Sequence, residues 1–345
     1  MRAVVVDRWM EPAELVVRER PDPVVGAGQL GVDVKAAGCN FFDILLVQGR
    51  YQVKPPFPFI PGGEIAGVVR EIGEGAAKPS DHRAKPSDHR AKPSDHRTGF
   101  AVGDRVLAAA PMGGYAERIA IPASFAHRMP DAMSFEEGAS FPIVYPTSYA
   151  GLVYRAALQP GETLLVHAAA GGVGLAAVQI GKALGARVIA TAGGPEKVRV
   201  AIEAGAEFGI DYNSEDFVER VQEITAGKGA DVIYDSVGGD IFDKSLKCIA
   251  WSGRLLVVGF AGGKIPSVAA NRILLKNVSV VGLHWGAYAK YEPERIPETF
   301  AALFQLYEEK KIRPVIYGSY PLERAAEALV ALGSRKTHGK VVLVP

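Results

Sequence analysis

The sequence predicts an α/β fold, with a doubly wound parallel sheet of six strands beside a compact, partly barrelled β-domain. Two observations carry this. Thr163–Val166 is a branched apolar run that reads as a buried strand, a turn ending in Gly171-Gly172-Val173-Gly174 follows, and Val173 to Leu184 repeats apolar residues at helical spacing. Six short apolar strands in all, separated by helical patterns, fill the stretch from Thr163 to Leu283, and strands alternating with helices specify a parallel sheet.

The first 125 residues have a different texture. Ala3–Val6, Glu14–Arg18, Leu30–Lys35, Glu64–Val69, Asp104–Ala108 and Tyr115–Ile121 read as short strands, most of them divided by Gly/Pro turns. One short helix, Asn40 to Val47, interrupts them. Ser134 to Leu158 reads as helical apart from Pro142 and Pro146, and carries the chain into the parallel sheet. There the expected order is strand Thr163–Val166, helix to Leu184, strand Arg187–Ala192, helix Pro195–Ala204 and strand Phe208–Ile210. Helix Ser214–Thr225, strand Asp231–Asp235, helix Ile241–Ile249 and strands Arg254–Gly259 and Val278–Leu283 complete it. Beyond a charged loop lie a helix from Glu298 to Glu309, a strand at Val315–Tyr320, a helix from Leu322 to Leu332 and a strand Lys340–Leu343. A six-stranded sheet has no place for this tail, so it is expected to return to the first domain. The expected boundaries are 1–125 with 287–345 for the β-domain and 126–286 for the parallel sheet.

Strand, glycine turn and helix together form a corner suited to a dinucleotide pyrophosphate. The helix start offers unpaired N–H groups and a positive dipole end, and Gly171 and Gly172 let the backbone approach a phosphate. The usual G-x-G-x-x-G has lost its first glycine, with Ala169 in that place.

Composition narrows the field. A net charge of +1 gives no footing for nucleic acid or a membrane surface. Two cysteines, Cys39 and Cys248, make neither a disulfide framework nor a structural zinc site. Met1–Val6 enters a strand at once, and the apolar stretch 163–184 is broken by glycines, His167, Gln179 and Lys182. A soluble, cytoplasmic chain is therefore expected.

One segment fits neither domain. Residues 77–97 are three copies of one heptad, beginning Ala77-Lys-Pro-Ser-Asp-His-Arg83. A proline in every copy forbids a continuous helix, and no large apolar side chain is available to bury. Without the copies, Ala76 meets Thr98 in a plain strand–loop–strand, so the repeat reads as a flexible, solvated insertion. Evenly spaced His82, His89 and His96 suggest a metal tether as the sharper alternative, but histidines on a flexible chain form no closed site.

By these residues the chain resembles the medium-chain dehydrogenase/reductases, and among them the zinc-free NADPH:quinone oxidoreductases related to zeta-crystallin. The motifs are Ala37-Gly-Cys-Asn-Phe-Phe-Asp43, Tyr51, Pro58-Phe-Ile-Pro-Gly-Gly-Glu-Ile-Ala-Gly67, Val102-Gly-Asp-Arg-Val106, the glycine corner and Thr337-His-Gly-Lys-Val-Val-Leu343. The run Leu274 to Gly286 looks closest to the quinone-oxidoreductase-like branch. The resemblance covers the chain apart from the repeat and implies a GroES-like β-domain beside a Rossmann domain. It implies polar groups near the nicotinamide at Asn40, Asp43 and Tyr51, each with a plain structural reading as helix cap, first-turn acid and loop aromatic. It further implies cofactor contacts from Thr147, Ala170, Gly171, Gly172, Val173, Gly193, Lys197, Tyr212, Gly259, Phe260, Leu283, His284 and Lys340.

The zinc-dependent members of that superfamily hold their catalytic metal at places matching Asn40, Gly63 and approximately Ile143. No three protein ligands come from these, so a metal is not expected. A zinc-free cleft suits acceptors that are already electrophilic, quinones and conjugated enones. The second sheet strand ends in Thr191-Ala-Gly-Gly194 without the acid that holds ribose hydroxyls in NAD sites, and Lys197 follows. NADPH is therefore the expected cofactor, with a small-molecule acceptor and a homodimer through Val278–Leu283 as the expected partners. His167 reads as a packed strand residue rather than a base. A 2-enoyl thioester reductase and a cofactor-binding, non-catalytic crystallin-like protein remain as alternatives.

Deleting residues 77–97 is expected to leave melting temperature, cofactor binding and turnover nearly unchanged, because a longer loop costs only about 0.6 kcal/mol per doubling of its length. A drop of several degrees, or a large fall in turnover, would show that the segment packs on the rest of the chain.

Overall fold

The computed structural model describes residues 1–76 and 99–345, so the triple repeat lies outside the described residues. In chain order, β1 (Arg2–Val5) and β2 (Val16–Glu19) form a hairpin-like pair, followed by β3 (Gln29–Cys39), α1 (Phe41–Val47), β4 (Glu64–Ile72), β5 (Arg105–Ala109), β6 (Arg118–Pro122) and β7 (Ala126–Arg128). Then come α2 (Phe135–Ala139), α3 (Val144–Tyr149), β8 (Thr163–Val166), α4 (Gly172–Ala183), β9 (Arg187–Ala192), α5 (Pro195–Glu203), β10 (Phe208–Asp211), α6 (Phe217–Ile224), β11 (Ala230–Asp235) and α7 (Gly239–Cys248). The rest is β12 (Ile249–Val257), α8 (Ala270–Lys276), β13 (Ser279–Gly282), α9 (Tyr288–Tyr291), α10 (Arg295–Glu308), β14 (Ile316–Pro321), α11 (Ala325–Gly333) and β15 (Lys340–Val344).

Two sheets organise the chain. The six-stranded one runs β10-β9-β8-β11-β12-β13, parallel throughout. β8 and β11 at its centre are buried along their whole length, which is why each reads as an apolar run without alternation. The order turns back between β8 and β11, and an open parallel sheet binds ligands at such a switch, outside the carboxyl ends of its strands. The other sheet runs β14-β15-β3-β4-β5-β7, with β6 also paired to β3. The eleven residues of β3 give it room for both: Gln29–Asp33 pair with β6, while Ala37–Cys39 pair antiparallel with β15.

By packing, the described chain divides into two compact units. One holds Met1–Ile143, Phe300–Phe304 and Ile316–Pro345; the other holds Val144–Thr299 and Gln305–Val315. Residues 126–143 thus go with the β-rich unit, and much of 287–315 with the parallel sheet, where the sequence boundaries at 125 and 286 divide them the other way. The reason lies in β7, which pairs with β5 but is only three residues long.

Three further elements differ from expectation. The helical stretch from Ser134 breaks into α2 and α3, and α3 tolerates Pro146 because its third position has no intrahelical N–H bond to lose. β6 begins at Arg118, leaving Tyr115 in the preceding loop with its side chain fully buried. The short helix α8 is also new; its face carries Leu274 and Leu275, exposed at 76% and 71%, so no amphipathic pattern marked it. No helix among the described residues is long and apolar enough to cross a membrane.

A buried polar cluster and a glycine corner as candidate functional sites

In the parallel-sheet unit the turn after β8 is made by residues 167–171. The left-handed conformation a glycine would favour falls on Ala168 (φ 49°), not on Ala169, at a cost of about 1–2 kcal/mol. The lost first glycine is thereby explained, since Ala169 is wholly buried and donates its N–H to Thr191 C=O at 2.9 Å. Gly171 is the N-cap of α4 and provides no side-chain acceptor. The first-turn N–H groups of Gly172, Val173 and Gly174 therefore stay open to an incoming anion.

The other expected cofactor contacts in this unit follow the carboxyl ends of strands: Gly193 after β9, Tyr212 after β10, Gly259 and Phe260 after β12, Leu283 and His284 after β13. Ala170 lies in the corner itself. Thr147 lies on α3, where the next residue, Ser148, donates to Val173 C=O at 2.9 Å and lies 2.9 Å from the Tyr234 hydroxyl. Lys197 occupies the first turn of α5, half-buried.

Sequence reasoning missed two acids here. Asp211, at the end of β10, accepts N–H bonds on Oδ1 from Gly194 (2.8 Å) and Asn213 (3.0 Å). An acid does stand near the end of β9, then, but on the neighbouring strand and bonded to backbone donors. Asp235, at the end of β11, uses Oδ1 to cap the N–H groups of Val237 and Gly238, while its buried Oδ2 has no protein partner. Burial raises its pKa above the usual carboxylate range. His167 is buried, with its ring nitrogens 3.0 Å from Thr191 Oγ1 and 2.8 Å from Ser245 Oγ. Burial drives its pKa down to about 3, so it is neutral and structural.

In the other unit the polar residues gather where β3 ends and α1 begins. The register Val341↔Cys39 sets Lys340 beside Asn40. The Lys340 ammonium donates to Cys39 C=O (2.9 Å), to Asn40 Oδ1 (2.7 Å) and to Glu64 Oε1. Asn40 Nδ2 donates to Glu64 Oε1 at 2.8 Å, and Glu64 Oε2 accepts from Ile143 N–H at 3.1 Å. Gly38 makes this approach possible, because a Cβ there would stand 2.5 Å from Glu64 Oε1. Asp43 Oδ2 accepts from Asn40 N–H (2.9 Å) and the Tyr115 hydroxyl (2.8 Å), while its Oδ1 is buried without a partner. Tyr51 is half-buried, its ring 5.6 Å from that of Phe42; burial first, and then the Asp43 charge, raises its pKa.

Two of the expected contact residues have internal partners. The three donors of the Lys340 side chain are engaged inside the protein, and it is 4% exposed. Asp43 is 0% exposed and accepts from the Asn40 N–H at the start of α1. Glu64 and Tyr115 were read as strand residues and given no part in a site. Glu64 heads an apolar strand, where an acid needs a buried partner, but that partner lies 276 residues away. Neither Gly63 nor Ile143 brings a metal donor: a Cβ at Gly63 would stand 2.4 Å from Phe42 Cζ. No three His, Cys, Asp or Glu side chains among the described residues come together as a metal site.

Burial raises the Asp43 pKa to about 7 against the pull of the Tyr115 and Asn40 hydrogen bonds and the Lys340 charge. The folded chain thus holds a proton that the unfolded chain releases near pH ~4. The sign follows: this stabilisation is present at acid pH and is lost as pH rises from about 4 through 7. Asp43→Asn, which cannot ionise, is expected to gain stability relative to the wild type across that interval. Denaturation midpoints that keep a constant difference from pH 5 to pH 8 would show Asp43 to be ionised throughout.

Residues 26–131 match the alcohol dehydrogenase GroES-like domain, and residues 172–309 match the zinc-binding dehydrogenase domain. A quinone oxidoreductase-like protein 2 homolog of Nematostella vectensis is 40% identical over 346 residues, covering 99% of this chain and 88% of that one. The Escherichia coli quinone oxidoreductase, solved in complex with NADPH, superposes with a TM-score of 0.86 at 33% identity over the full length of both chains. A mycobacterial protein complexed with NADPH gives 0.87 at 34% identity, again over both full lengths. With its glycine corner, its six parallel strands and these relatives, the chain belongs to the quinone oxidoreductase family of the medium-chain dehydrogenase/reductases.

Proposed function

We propose that the chain is an NADPH-dependent, zinc-independent reductase of quinones and similarly conjugated carbonyls. The observation that carries this is the combination of an open anion site at the start of α4 with a polar cluster that offers no metal ligand set. The residues present suit the cofactor. Gly172, Val173 and Gly174 offer backbone donors to a pyrophosphate beside Ala170 and Gly171 in the same corner, and the buried, unpartnered Oδ2 of Asp235 is an acceptor of the kind a ribose hydroxyl needs. Gly193, Lys197 and Tyr212 would hold the 2′-phosphate, with Asp211 kept from repelling it by the backbone N–H groups it already serves. Thr147, Gly259, Phe260, Leu283 and His284 would line the nicotinamide side.

When bound, NADPH supplies a hydride. The protein's part is to orient the acceptor and to keep its carbonyl polarised; Asn40 and Tyr51 are the groups for that task. A quinone or enone needs no acidified hydroxyl, because its reduced oxygen takes a proton from water. This is why the chemistry proceeds without a Lewis acid at positions 40, 63 and 143. The quinone oxidoreductase-like relative and the two NADPH-complexed structures support the same reading.

We propose further that two copies associate through β13. It is an edge strand with β12 on one side only, and Leu274, Leu275 and Trp251, exposed at 76%, 71% and 71%, lie on α8 and β12, the two elements adjoining it. Such an edge invites strand pairing. Val280→Lys is expected to shift sedimentation towards a monomer; unchanged sedimentation would count against this interface.

Steady-state NADPH oxidation with 1,4-quinones beside crotonyl-CoA tests the function. Turnover with quinones and little with the thioester is expected, by protein free of stoichiometric zinc and indifferent to chelators. Lys197→Ala is expected to weaken NADPH binding about ten- to a hundredfold, the worth of a charge-assisted phosphate bond, and to leave NADH almost unchanged. Preference for crotonyl-CoA, zinc near one per chain with activity lost on chelation, or equal loss of both cofactors would overturn the respective claim.

A further inference from the structure

We infer that the buried Lys340–Glu64 ion pair is a clamp that fixes the side-chain amide of Asn40 in one orientation, so that both are positioning residues for the acceptor site. This rests on the reductase reading above and extends it to residues that touch no substrate.

The geometry points to a clamp rather than to a general structural bridge. An ammonium has three donors, and all three are met, by Cys39 C=O, Asn40 Oδ1 and Glu64 Oε1. The amide is gripped from both ends: its oxygen faces the ammonium at 2.7 Å and its nitrogen faces the carboxylate at 2.8 Å. Turning the amide over would set N–H₂ against an ammonium and the carbonyl oxygen against a carboxylate, two repulsions in a low-dielectric site. Only one orientation is compatible with the pair. What remains is a second Nδ2 hydrogen, for which Gly38 C=O at 3.5 Å offers only a long, weak hydrogen bond. Asn40 is 8% exposed while Asp43 and Glu64 are 0% exposed. The clamp thus presents one N–H donor of fixed direction, the group that polarises an acceptor carbonyl. It also supplies the cluster with a resident cation, so Cys39 C=O, Asn40 Oδ1 and Glu64 have their positive partner within the chain.

A buried pair has a property that separates its two roles. Removing one partner strands a charge, whereas removing both is often close to neutral for stability. Lys340→Met and Glu64→Gln are each expected to melt well below the wild type. The Glu64→Gln/Lys340→Met double variant is expected to recover most of that loss and to bind NADPH as the wild type does. Its kcat for quinone reduction is expected to stay roughly ten- to a hundredfold low, the cost of a misplaced group. The reason is that a glutamine in place of Glu64 can offer either end of its amide to Asn40, and a methionine in place of Lys340 offers no donor at all. Wild-type kcat in the double variant overturns the proposal. A double variant that melts as low as the single ones overturns it too, since the pair then holds the fold and not the amide. If the wild-type chain reduces no quinone, the functional reading falls; the clamp is then judged by NMR. The Asn40 side-chain N–H₂ signals are expected to be protected from exchange in the wild type and exposed in the double variant, and equal protection in both rejects it.

Discussion

The antiparallel pairing of β15 with β3 is the constraint on which the first unit's polar cluster depends. Backbone hydrogen bonds at Ala37–Cys39 hold the last strand in a register that sets Lys340 against Asn40. A slip of one residue would turn every side chain of β15 to the opposite face, moving the ammonium out of the cluster and leaving Glu64 as an uncompensated buried charge. The same strand β3 carries β4, from which Glu64 comes, and β6. One strand therefore determines where three parts of the chain meet.

Electrostatics in that cluster follow from burial. The core of the same unit holds Val4, Val6, Leu30, Ile65, Tyr115 and Val341, all nearly inaccessible, and the cluster's own Asp43, Glu64 and Lys340 are buried with it, so each polar atom must find a partner inside the protein. Most do. The exception is Asp43 Oδ1, and the consequence is a carboxyl whose pKa is raised to about 7. An acid that keeps its proton near neutrality costs less to bury than a carboxylate, which is how Asp43 can sit fully enclosed so near to Glu64. Lys340 neutralises one acid, and burial raises the pKa of the other.

The parallel-sheet unit works differently. Its candidate contacts come from residues that follow strand ends, where side chains matter less than the placement of backbone N–H groups. Ala168 accepts a left-handed conformation so that the turn closes on α4, and Gly171 leaves the helix start uncapped. Strain and open donors here are the two features a phosphate group would offset.

What the sequence by itself determined is what depends on neighbours in the chain. Apolar runs of four to six residues marked the strands at Thr163, Arg187 and Ala230, since a centrally buried strand needs no alternation. The glycine corner marked a place suited to a pyrophosphate, and the missing donors at Asn40 and Gly63 were legible as residue identities. What only the tertiary structure decided is what depends on residues far apart. Lys340 read as a cofactor contact and Asp43 as a substrate contact because their motifs are local, whereas their partners, Glu64 and Tyr115, stand 276 and 72 residues away. β7 and α8 escaped because a three-residue strand and a helix with exposed leucines have no periodicity to read. Periodicity and turn chemistry act over a few residues and are written in order along the chain; the compensation of a buried charge acts through space, and only the fold says which residues share it.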